Sequence, residues 1–82
     1  MERKQWGRWT LDRTGAYSSL DIPNYGLHTA NPYQVRLFRK GCDFHTFTAW
    51  LGGWVQHLQE KSWITRADLW NFVEAAQELY RG

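Results

Sequence analysis

The stretch from Asp43 to Lys61, DFHTFTAWLGGWVQHLQEK, constrains the fold more than any other part of this chain. Its large apolar residues fall at Phe44, Phe47, Trp50, Leu51, Trp54, Val55 and Leu58, the three-and-four spacing of one broad helix face. No other segment offers so much apolar surface on one side, so this helix is expected at the centre of the core. Asp43 suits its N-cap, because the carboxylate can accept a bond from an orphan amide of the first turn. Gly52-Gly53 is the awkward feature. Each mid-helix glycine costs roughly 1 kcal/mol against alanine. Close packing of another backbone inside the protein is the expected compensation; a bend or the approach of a partner are the alternatives.

A second helix is predicted over 66–80. Leu69, Val73, Ala76 and Leu79/Tyr80 form its stripe, flanked by Trp70 and Phe72. Thr65 with Asp68 three residues later resembles a capping box, with Asp in place of Glu. The link Lys61-Ser62-Trp63-Ile64 is short, so the two helices are antiparallel neighbours or a steeply crossed pair.

Ahead of the helices the pattern changes to period two. Trp6 to Asp12 reads as one strand, with Trp9 and Leu11 on one face and Trp6 and Arg8 on the other. Asp12-Arg13-Thr14-Gly15 has turn chemistry. Tyr17 to Ile22 alternates again, which predicts a hairpin. Residues 23–32, PNYGLHTANP, form a long irregular segment that displays Tyr25, Leu27 and His28. Tyr33 to Phe38 is the cleanest strand, with Tyr33, Val35 and Leu37 facing one way and Gln34, Arg36 and Phe38 the other. Strands followed by helices predict an α+β fold: a three-stranded antiparallel sheet, then two packed helices on one of its faces.

At 82 residues the chain predicts a single small domain spanning 1–82. Such a domain buries a limited fraction of its surface and is usually only marginally stable. The compensation is aromatic: 17% of residues are Phe, Trp or Tyr, including six Trp. That is more ring than so small a core needs, so some rings are expected at a binding surface. Net charge is +2, too little by itself to imply nucleic acid. Residues 1–41 carry seven Lys/Arg against three acids, and 42–82 carry three against five, so the front half is basic. Cys42 is the lone cysteine, which fits a reducing compartment. The N-terminus lacks an apolar signal core, and no run nears the ~18 apolar residues of a membrane span. A cytoplasmic protein that does not enter membranes is the expectation.

Catalytic constellations are weak. Cys42 and His45 lie three apart at a helix start, and His28 can approach them from the 23–32 loop, but no Asn or Asp is placed to orient the imidazole. A Cys-dependent enzyme is therefore the least favoured alternative. His45 and His57 lie about 120° apart round a helix and share no face for a metal. Glu74 and Glu78 read as a solvated helix face. No glycine loop carries a phosphate-binding signature. No catalytic residue, cofactor or metal is expected.

Two binding readings remain. In the first, exposed aromatics and basic residues dock on a larger protein or nucleoprotein, since Trp, Tyr and Arg dominate interface hot spots. The rings expected to be exposed are Trp6, Tyr25, Trp63 and Trp70. In the second, Trp6 and Phe38 share a sheet face with Arg8 and Arg36, beside Arg39 and Lys40, and hold a single-stranded nucleic acid. A homodimer through the helix pair is compatible with either.

The order Trp9-Thr-Leu-Asp12, Tyr33-Gln-Val-Arg-Leu37, the helical Trp50 and Trp54, and Lys61-Ser-Trp-Ile-Thr-Arg-Ala-Asp-Leu69 resembles a pattern in short uncharacterised α+β proteins of bacteria and mobile elements. Arg39-Lys40 stands where that pattern has acids, and Ala49 where it has Asp before the helical Trp. The resemblance implies a compact, non-enzymatic domain. Small inhibitors of the anti-CRISPR kind, and accessory partners of larger enzymes, are proteins of this size and setting.

Overall fold

The computed structural model of the chain describes residues 3–13, 18–23 and 32–82. Strands precede helices, giving an α+β protein, and the chain divides into two compact units, Met1–Leu37 and Phe38–Gly82.

The first unit is a four-stranded antiparallel sheet in the order β1 (Arg3–Trp6), β2 (Trp9–Asp12), β3 (Ser19–Ile22) and β4 (Tyr33–Arg36). Three strands were predicted, and the difference lies at Gly7-Arg8. These two residues are a hairpin loop that breaks the expected Trp6–Asp12 strand, so Trp6 pairs directly opposite Trp9. Gly7 takes φ 58°, a left-handed conformation that glycine adopts without the Cβ clash other residues suffer. A positive-φ glycine at the first loop position is the pattern whose twist suits a two-residue hairpin.

Register sorts the side chains cleanly. Leu11 pairs with Leu20 and Leu20 with Val35, while Ile22 pairs with Tyr33. Trp9, Leu11, Leu20, Ile22 and Val35 are all fully buried, and by period two they share one face with Lys4, Trp6 and Tyr33. The opposite face carries two cross-strand rows: Arg3, Asp12, Ser19 and Arg36, and Gln5, Thr10, Asp21 and Gln34. Beyond β4, the Leu37 amide donates to the Ser18 carbonyl at 3.1 Å and the ladder ends. The proposed turn at 12–15 and the Tyr25 loop lie partly or wholly outside the described residues.

The second unit is a helix pair, α1 (Phe44–Gln59) and α2 (Arg66–Arg81). Both N-termini are capped as the sequence predicts. The Asp43 carboxylate accepts from the Thr46 amide at 2.6 Å. Thr65 Oγ1 accepts from the Asp68 amide at 3.1 Å, and the Asp68 carboxylate accepts from the Thr65 amide at 2.9 Å, a closed capping box. The helices run antiparallel. Phe47 stacks on Tyr80 at 4.2 Å, Trp50 meets Phe72 at 5.9 Å, and Val55 and Gln59 border a groove with Arg66 and Leu69. Phe47, Leu58, Phe72, Ala75 and Ala76 are buried.

Phe38 corrects the sequence reading most. It was expected on a sheet face with Arg36, but β4 ends at Arg36 and Phe38 belongs to the helical unit. Its ring sits edge-on to Phe47 at 4.9 Å, Trp50 at 5.0 Å and Tyr80 at 5.8 Å. Three such edge contacts outweigh one more period of strand alternation, since each is worth about 0.5–1.5 kcal/mol beyond area burial. The Tyr80 hydroxyl closes the cluster by donating to the Cys42 carbonyl at 3.1 Å. Among the described residues no helix is long and apolar enough to cross a membrane.

Candidate functional site

The residues of α1 that the core leaves over define a notch. Ala49, Gly53 and His57 are spaced by four along one side, and Trp50 and Trp54 form the adjoining row. Together they line a depression of about 410 Å3. Both Trp rings are half-buried, while Ala49, Gly53 and His57 are exposed. The Trp54 and His57 rings meet edge-on at 5.5 Å, which fixes one wall.

The floor exists because of glycine. A Cβ built on Gly52 or on Gly53 would meet nothing within 4 Å, and both residues are exposed. Close internal packing, the expected reason for this pair, is therefore absent among the described residues. The helix runs unbroken through both positions. What Gly53 does is lower the surface beside the Trp50–Trp54 row: a side chain at 53 would fill the notch that these rings border.

The residues expected at a binding surface are scattered. Trp6 and Arg36 lie on opposite faces of the sheet, and Arg8 sits in the β1–β2 loop. Lys4 Nζ lies 5.1 Å from the centroid of the Trp6 ring, and Trp6 is half-buried. The polar sheet face holds Arg3 and Arg36 against Asp12 and Asp21 and, among the described residues, carries no ring. Arg39 and Lys40 are exposed at the turn before Gly41, and Phe38 is taken up in the aromatic cluster. Trp63 is half-buried between the helices' ends. Of the rings expected to be exposed, Trp70 is, at 67%. Phe44 is exposed to the same degree, 66%, although its place in the apolar stripe of α1 argued for burial. Tyr25 lies outside the described residues.

Titratable chemistry is sparse. Asp43 is held below the ordinary carboxylate range by the hydrogen bond from the Thr46 amide and, second, by the Thr46 side chain. Among the described residues Asp21 Oδ1 is buried with no hydrogen-bond partner, although Thr10 and Gln34 flank it in the ladder. Cys42 is half-buried, and its backbone serves the fold, donating to the Arg39 carbonyl and accepting from Tyr80. Among the described residues no three His, Cys, Asp or Glu side chains gather as a metal site would require.

No family model, no curated protein and no solved structure matches this chain.

Proposed function

We propose that this chain is a non-catalytic docking module whose contact surface is the Trp-walled notch on α1, and that it acts by seating on a larger protein, as an inhibitor or accessory subunit. The observation that carries this reading is the pair Gly52-Gly53. Two exposed mid-helix glycines cost about 2 kcal/mol of helix stability together, and no neighbour within the described residues offsets it. A surface feature that weakens its own helix is best accounted for by what the bare backbone admits. Here that is the close approach of a helix or an extended segment beside the Trp50–Trp54 row. Rigid aromatic walls around a shallow floor are also how interface hot spots are built.

The nucleic-acid alternative has less support, because among the described residues the sheet face with Arg36 sets two Arg against two Asp and carries no ring. It remains an outcome of the test. Tagged protein is used to capture partners from host lysate with and without nuclease, alongside a bait in which Gly53→Ala fills the floor. A stoichiometric protein that survives nuclease and is lost with the filled bait supports the proposal. Capture that vanishes with nuclease, or that is indifferent to the filled notch, overturns it.

A further inference from the structure

The exposed ring of Trp70 stands elsewhere. It borders a groove of about 680 Å3 between α1 and α2, with Val55, Leu69 and Val73 as apolar lining and Gln59 and Arg66 at the edge. Val55 and Gln59 lie about 200° and 240° round α1 from Gly53, so this groove is separate from the notch. Trp70 is therefore a projecting apolar knob with an apolar hole beside it on the same surface.

We infer that this surface binds a second copy of the chain, α2 against α2, antiparallel about a two-fold axis near Trp70. A two-fold contact requires a self-complementary patch, in which each copy supplies both knob and hole. The charges supply the second condition. Arg66 and Glu74 lie four residues before and four after Trp70 on one stripe, and all three are exposed. An antiparallel pairing centred on Trp70 sets Arg66 of each copy against Glu74 of the other, twice. A parallel pairing sets Arg66 against Arg66 and Glu74 against Glu74. Exposed ion pairs add little affinity, but like charges reject wrong registers, so the pair fixes orientation while the indole supplies the attraction.

The contact is small. α2 has 16 residues, about 24 Å of helix, and one face of it falls short of the ~800 Å2 per partner of a standard stable interface. The association is therefore weak and depends on concentration. It does not rest on the notch, and the two can fail separately.

The test is sedimentation equilibrium of the purified chain at low salt, from about 10 μM to about 1 mM. The wild type is expected to show a monomer–dimer equilibrium in that range. Trp70→Ala is expected to leave it monomeric, with its circular dichroism unchanged because the ring is mostly in solvent. Arg66→Glu and Glu74→Arg, singly, are each expected to weaken dimerisation by about tenfold, and the double exchange to restore it to within about threefold. A chain that stays monomeric throughout overturns the inference. So does a dimer indifferent to Trp70→Ala, or a double exchange no better than the single ones.

Discussion

Replacing both glycines of α1 by alanine separates what the helix needs from what its surface does. Among the described residues a Cβ at Gly52 or Gly53 meets nothing within 4 Å, and neither residue has a positive φ. Alanine therefore fits without strain. Each exchange recovers the entropy and solvation that glycine costs a helix interior, about 0.8–1.0 kcal/mol, so the double variant gains about 2 kcal/mol. For a domain of this size that is roughly 8–16 °C in Tm. The assay is urea unfolding followed by Trp fluorescence, paired with thermal unfolding followed by circular dichroism at 222 nm (a wavelength that reports about equally on both helices). The midpoint should rise at unchanged m-value. A double variant that is no more stable than wild type, or less, refutes the reasoning. It would mean that something does pack against the glycines and that their cost is offset inside the protein.

Gly7→Ala at the β1–β2 loop is expected to do the opposite. At φ 58° the added Cβ costs about 1–2 kcal/mol, and urea unfolding should show that loss. Tyr80→Phe keeps the stacked ring but deletes the bond to the Cys42 carbonyl, for an expected loss of about 1 kcal/mol in the same assay. Asp43 makes α1 sensitive to acid. Its folded pKa lies below 3.8, so its contribution is complete above the unfolded value and is lost as pH falls through the lowered folded one. Wild type should therefore lose stability below about pH 4 more steeply than Asp43→Asn, as measured by urea midpoints across that range.

The helices were legible because their signals are local and redundant. The apolar spacing of α1, the Asp43 cap and the Thr65–Asp68 box each point to the same boundaries, and the structure places them within two residues. The sheet was harder. Arg3-Lys4-Gln5 is polar on both faces, so nothing in its alternation announces β1. The available signal was Gly7-Arg8, a glycine-first pair between Trp6 and Trp9, which reads as a hairpin loop once pairing is considered. Phe38 was misplaced because alternation has no memory of where a strand ends. Its destination depends on Phe47, Trp50 and Tyr80, the last of these 42 residues away. Gly52-Gly53 was visible as a cost from the first, but only geometry tells a glycine that admits a neighbour from one that faces open space. Trp70 was visible as a ring flanking the α2 stripe. Phe44 was hidden by sharing the stripe of α1 while standing at its first turn, where it touches Phe47 and Tyr80 at 6.4 and 6.1 Å and leaves most of its ring in solvent.

The claim that α1 is the docking surface is tested most directly by amide hydrogen exchange on the chain alone and in complex with the protein it captures. Slowed exchange across residues 49–57, with the β1–β4 amides unchanged, is the predicted result, because the notch is where a partner's backbone would exclude water. Protection confined to the sheet strands, or to α2 around Trp70, with 49–57 exchanging as in the free chain, would contradict it.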